Sequence, residues 1–252
     1  MCVGVMKDNR MTSRLVLQKV SHSYGMVTVL NDLNLTVNSG EIVVLVGPSG
    51  CGKTTVLNLL SGHIKPVSGI VQREGVIRTV YQQDGLFPWL TVSENITIGL
   101  RLMENIALRD KELAELLELV HLKGFEQHYP HQLSGGMRQR AELARVLAGD
   151  CDILLMDEPF SALDYQARLR MRRELVRLLE KRPKTVVFVT HDIEEAVQLA
   201  DRVLVLSNRP ATICRELRIE TPHPRGLTDN TSIDAMKEIL KELGLNTFND
   251  PE

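Results

Sequence analysis

The chain has few cysteines for its length and none in a close pair. Cys2, Cys51, Cys151 and Cys214 stand far apart with no C-x-x-C spacing, which excludes a disulfide framework and a thiolate zinc site and suits a reducing compartment. No sign of charge dominates. The formal net charge is -2 over 252 residues, so no global basic field favours nucleic acid as a partner. No uninterrupted apolar run approaches membrane-spanning length, and any membrane role is expected to be peripheral. Residues 1–14 carry charges and no long apolar core, so no signal peptide is expected. Internal repeats, low-complexity tracts, a long heptad run and a basic arm are also missing. The composition, 43% hydrophobic and 25% charged, suits one large soluble α/β domain or two small ones.

What is present is organised around Gly47-Pro48-Ser49-Gly50-Cys51-Gly52-Lys53-Thr54-Thr55. An apolar run at residues 42–46 precedes it and another at 56–60 follows. That order reads as buried strand, glycine-rich turn and helix, and it matches G-x-x-x-x-G-K-[ST] in the context the motif requires. A triphosphate needs many N–H donors aimed at one point, and glycines let the backbone curl around it without a Cβ clash. A helix starting at Gly52 points its amides and dipole at the same charge. Lys53 is expected to reach the β- and γ-phosphates, and the Thr54 hydroxyl to ligate Mg²⁺. The plainer alternative is a glycine turn that only joins strand to helix.

Elsewhere the chain alternates. Residues 1–13 read as a flexible leader. Residues 15–20, 27–30 and 33–37 read as antiparallel strands of a half-exposed sheet, with a turn at 21–25. Two short strands are expected at 69–73 and 76–81, joined near Glu74-Gly75. Residues 92–121 turn helical, with Leu113, Leu116, Leu117, Val120 and Leu122 on one face. Helices follow at 137–148, with Ser134 as N-cap, and at 164–181; buried strands are expected at 153–157, 185–190 and 203–206. Asp192 and Glu195 are spaced as a capping box. Past residue 210 come a strand-like run at 213–219, a Pro-rich linker at 221–225 and a short helix around 233–243. Strand–helix alternation implies a parallel sheet with helices packed on it.

The run Ile153-Leu154-Leu155-Met156 ends in Asp157 and Glu158. A carboxylate at the carboxyl end of a buried strand sits where ligands bind in open α/β sheets. Asp157 is expected to hold the Mg²⁺ shell, and Glu158 to polarise an attacking water. The alternative is two acids that end a strand and face solvent.

Five motifs then occur in one order: Gly47 to Thr54, Leu133-Ser134-Gly135-Gly136-Met137, Leu155-Met156-Asp157-Glu158-Pro159, Ser161-Ala162-Leu163-Asp164, and His191. From Leu15 to Arg209 the chain resembles the nucleotide-binding subunit of ATP-binding cassette (ABC) transporters. The resemblance implies an α/β P-loop NTPase fold with a mainly parallel core sheet, an antiparallel β subdomain and an inserted helical subdomain near residues 86–150. The ATPase domain would span 14–209, with a C-terminal extension at 210–252. It further implies roles one residue at a time. Tyr24 would stack on adenine, unless it is an ordinary strand-end tyrosine. Gln82 would touch Mg²⁺ and sense the γ-phosphate, with Gln83 a neighbouring candidate. His191 would contact the γ-phosphate. Ser134, Gly135 and Gly136 would bind ATP across a homodimer interface, and Asp164 would link the two sites there. Closure on ATP would drive a membrane permease docked near Leu86-Phe87-Pro88-Trp89, unless that cluster is a satellite core. A solute-binding protein would join indirectly, with the chain at the cytoplasmic face of the cell membrane.

Residues 87–92, 129–140, 157–164 and 207–213, with the later Pro224-Arg225, resemble importers of nitrate, sulfonates or taurine. The stretch from Gly69 to Gln82 is shorter than that group's pattern, as if a hairpin were trimmed, which weakens the substrate assignment. Two other readings compete. A soluble ABC ATPase acting on nucleic acid or ribosomes would be expected to carry two cassettes or a coiled-coil insertion. A P-loop kinase gives no reason for Ser134-Gly135-Gly136 or residues 161–164.

Overall fold

The structure is a computed structural model and describes residues 13–81, 85–101 and 103–245. The expected leader lies outside these residues, apart from Ser13.

Two sheets carry the fold. β1 (Ser13–Tyr24) and β2 (Val27–Asn38) form a hairpin that turns at Gly25, whose φ is 59°. β4 (Ser68–Arg73) pairs with β1 on its other side, giving an antiparallel sheet of order β2-β1-β4. The second sheet also contains β3 (Ile42–Val46), β5 (Ile77–Val80), β6 (Ile153–Asp157), β7 (Thr185–Val189), β8 (Arg202–Leu206) and β9 (Ile213–Arg218). Its order is β5-β6-β7-β3-β8-β9, parallel except for β9. Every residue of β3, β6, β7 and β8 is buried, as expected for apolar runs covered on both faces.

Successive side chains of a strand point to opposite faces, so these strands feed two cores. Val43 and Leu45 join Leu15, Leu17, Val56 and Leu59, where the antiparallel sheet and α1 (Lys53–Ser61) cover one face. Val44 and Val46 join the other core, under α2 (Val92–Gly99), α3 (Ile106–Leu119), α4 (Gly135–Leu147), α5 (Tyr165–Lys181) and α6 (Ile193–Leu199). The expected helical stretch at 92–121 is thus two helices. Thr91 and Glu94 close a full capping box on α2.

Several local expectations differ from the fold. β1 runs through the expected turn at 21–25 as far as Tyr24, and residues 27–37 form one strand, kinked at Asp32, whose φ is 48°. Glu74-Gly75 does join the two expected strands, β4 and β5, but they belong to different sheets. The Glu74 amide donates to the Arg14 carbonyl at 2.9 Å and the Val76 amide to Asp152 Oδ2 at 2.8 Å, so each side is pinned to its own sheet. The capping box at α6 is half made. Asp192 Oδ1 accepts the Glu195 amide at 3.2 Å, but the Glu195 carboxylate instead accepts from Thr190 Oγ1 at 2.6 Å and from buried Arg172 at 2.9 Å.

Beyond residue 209, β9 is an edge strand of the core sheet and α7 (Asn230–Glu242) packs on α6. The Pro-rich segment between them is anchored rather than loose. Buried Arg225 donates to the carbonyls of Thr221 (2.5 Å), Ile219 (3.0 Å), Val197 (3.3 Å) and Ala200. Val197 lies in the last turn of α6 and Ala200 is its C-cap, where backbone acceptors have no partner within the helix.

Candidate functional site

β3 hands the chain to the glycine-rich loop at the carboxyl edge of the core sheet, and α1 begins at Lys53. Each glycine has a steric reason. Gly50 sits at φ 72°. Gly52 sits at φ 120°, and a Cβ there would lie 2.7 Å from Val29 Cγ1. No side chain caps the N-terminus of α1, so its first amides stay available to an anion. The Lys53 ammonium lies across the loop and donates to the carbonyls of Gly47 at 2.7 Å and Pro48 at 2.9 Å. Cys51 is buried beneath the loop.

Above the loop lies a cleft of 670 Å³, lined by Ser49, Gly50, Gly52, Lys53, Thr54 and Thr55 together with Tyr24, Glu158 and His191. Four separated stretches of sequence thus meet in one place. Tyr24, half exposed at the end of β1, contacts His22 edge-on at 4.8 Å. His191 Nδ1 stands 3.1 Å from Glu158 Oε1. Glu158 has φ 48°, unusual for a residue with a side chain, and its amide donates to the Val189 carbonyl at 3.0 Å.

Asp157 sits behind this cleft, 4% exposed. Burial pushes its carboxyl above the ordinary aspartate range and Glu158 pushes the same way, against a hydrogen bond from the Thr54 hydroxyl and the charge of Lys53. A buried carboxylate beside a hydroxyl is a hard oxygen donor set that suits Mg²⁺. Among the described residues no group of three His, Cys, Asp or Glu could hold a metal by itself.

Ser134, Gly135, Gly136 and Asp164 do not line this cleft. Ser134 is exposed at the start of α4, where its hydroxyl accepts the Met137 amide at 3.3 Å. A Cβ on Gly136 would stand 3.1 Å from Leu163 Cδ2, so α4 packs tightly against the segment 161–164. Asp164 caps α5 through the Ala167 amide at 2.9 Å, and that hydrogen bond holds its carboxyl below the usual range. Gln82 and Gln83 lie outside the described residues. Near the expected docking cluster, Leu86 is buried in the core, while Phe87 and Trp89 are exposed with ring centroids 5.5 Å apart.

Two residues escaped sequence reasoning. Arg209 lines the cleft, with a guanidinium nitrogen 3.5 Å from where a Gly50 Cβ would stand. It reaches the loop from the β8–β9 turn, a proximity no local pattern announces. Gln139 lies outside the quoted glycine motif, and its contacts are with segments about twenty residues on.

The strand, loop, uncapped helix and carboxylate define a P-loop nucleotide-binding protein. The family model described as ABC transporter matches residues 30–161. The aliphatic sulfonates import ATP-binding protein SsuB 1 of Rhodococcus jostii is 44% identical over 232 residues, which is 90% of this chain and 91% of that protein. An ABC transporter ATP-binding protein of Methanocaldococcus jannaschii is 41% identical over 253 residues, covering 95% of this chain and 94% of that protein. Among solved structures, the dimeric structure of MJ0796, a bacterial ABC transporter cassette, superposes with a TM-score of 0.75 at 33% identity, covering 82% of this chain and all of that one. The chain belongs to the ABC transporter family, as its ATP-hydrolysing cassette.

Proposed function

We propose that the chain energises a membrane importer for sulfonates, nitrate, taurine or a related small solute, working as a homodimer on the cytoplasmic face of the membrane. The observation that carries the hydrolytic part is the Glu158–His191 pair, 3.1 Å apart at the mouth of the phosphate-loop cleft. In this reading the amides of residues 47–55 and Lys53 hold the phosphates. Tyr24 stacks on the base, and Arg209 adds positive charge beside the loop. Thr54 and Asp157, with Gln82, hold Mg²⁺, whose bound charge offsets that developing on the phosphate oxygens. Glu158 accepts a proton from the attacking water, and His191 orients Glu158 and contacts the γ-phosphate. Ser134, Gly135 and Gly136 serve the nucleotide of the other protomer, and Asp164 sits between the two sites. Two facts support this division: the signature residues lie outside their own chain's cleft, and the related MJ0796 cassette is a dimer.

The import assignment rests on relatives named as aliphatic sulfonate import proteins. Among the described residues no helix is long and apolar enough to cross a membrane, and in this reading the membrane partner is a permease. Exposed Phe87 and Trp89 offer it an aromatic seat, with a solute-binding protein acting through that permease. Purified chain should hydrolyse ATP with Mg²⁺, and Glu158→Gln should bind ATP while turnover nearly stops. Retained turnover in that variant would remove Glu158 from the base role. A Phe87→Ala, Trp89→Ala double variant should hydrolyse ATP but lose co-purification with the permease.

A further inference from the structure

Gln139 projects from α4 and is 6% exposed. Its amide nitrogen donates to the Glu158 carbonyl at 3.2 Å and approaches Ser161 Oγ at 3.4 Å, while its side-chain oxygen accepts the Ala162 amide at 3.0 Å. One buried side chain therefore grips both ends of the segment from Glu158 to Ala162. The Ser161 amide donates to the same Glu158 carbonyl at 3.1 Å. Glu158 is the residue whose φ of 48° departs from the ordinary range. A side-chain-bearing residue stays in that region only when its surroundings over-determine it. The Val189 carbonyl holds the Glu158 amide, and Gln139 holds the Glu158 carbonyl.

We propose that Gln139 is a positioning residue for hydrolysis. Through the Glu158 main chain it fixes the direction of the Glu158 carboxylate towards His191. Gln139 lies on the first turns of the same helix whose start, Ser134 to Gly136, is assigned to the partner's nucleotide. The inference rests on that assignment, and it gives the shared helix a further consequence. A shift of α4 when the second nucleotide binds moves the carbonyl anchor of the first site's Glu158, so one side chain couples the two sites.

The test uses Gln139→Met, which keeps length and removes the hydrogen bonds to Glu158, Ser161 and Ala162, and Gln139→Glu. The second keeps the acceptor for the Ala162 amide but sets an oxygen against the Glu158 carbonyl, so it isolates the Glu158 contact. Both should lower kcat by about tenfold, the size expected for one misplaced anchor. KM for MgATP and ATP affinity should stay within about twofold of the parent. Because Gln139 acts through Glu158, adding Gln139→Met to Glu158→Gln should slow the residual single-turnover rate no further. A kcat near the parental value in Gln139→Glu overturns the proposal. So do losses that multiply in the combined variant, or a fall in kcat that tracks ATP affinity or unfolding temperature. If instead Glu158→Gln itself turns over normally, the underlying assignment of the base has failed, which is a different result.

Discussion

Replacing Arg225 by Leu should destabilise the protein as a whole, although the residue sits in a stretch that reads as a linker. Four backbone carbonyls converge on its guanidinium, those of Val197, Ala200, Ile219 and Thr221. The side chain is 2% exposed, so water has no ready route to replace it. At about 1 kcal/mol for each acceptor left unpaired, the expected cost is about 4 kcal/mol. The ion pair with Asp201, at 3.8 Å and with Asp201 44% exposed, adds little. Urea unfolding followed by far-UV circular dichroism measures the loss, and thermal unfolding should fall by about 8–16 °C. Arg225→Lys should recover only part of it, since an ammonium cannot span four carbonyls around a plane. A cost below about 1 kcal/mol for Arg225→Leu would mean that the convergence contributes nothing, and α7 would then be an appendage. A second readout is limited proteolysis, which should cut the variant early within residues 221–245.

Three further outcomes are expected. Arg209→Ala should weaken ATP binding about three- to tenfold, with a shallower salt dependence than the parent; titration of a fluorescent ATP analogue at two ionic strengths checks this. Gly69→Ala should cost about 2–4 kcal/mol in urea unfolding, because Gly69 has φ 89° and a Cβ would meet the Lys19 carbonyl oxygen at 2.3 Å. Burial opposes ionisation of Asp192, but Arg172, the Glu195 amide and Arg168 win and hold its carboxyl below the usual range. A depressed folded value means the stabilisation is complete above the unfolded aspartate range near pH 4 and is lost as pH falls below it. Stability measured from pH 6 to 3 should therefore drop less steeply in Asp192→Asn than in the parent.

The features legible in the sequence are those whose cause is local. Residues 42–55 announce strand, loop and helix because a phosphate loop needs that order, and residues 153–157 and 185–189 announce buried strands by being apolar throughout. Ser134 and Asp192 could be read as caps because capping is settled within one turn. What stayed hidden depends on distant partners. Residues 69–81 show two strands and their join but not their partners: β4 pairs with residues 15–21 and β5 with residues 153–156. Glu195 matches a capping box by spacing, but a buried arginine from α5 is the stronger partner for its carboxylate. Arg225 sits among prolines and polar residues, and nothing nearby foretells burial of a charge. Arg209 and Gln139 take their importance from tertiary neighbours alone.

Three residues separate β4 from β5, which belong to different sheets. β4 lies against β1, the strand that ends in Tyr24, and β5 lies against β6, the strand that ends in Asp157. With so short a tether, a tilt of the hairpin sheet pulls directly on the edge of the core sheet. The polypeptide thus ties the strand that ends at the cleft's tyrosine to the edge of the sheet that carries the buried aspartate.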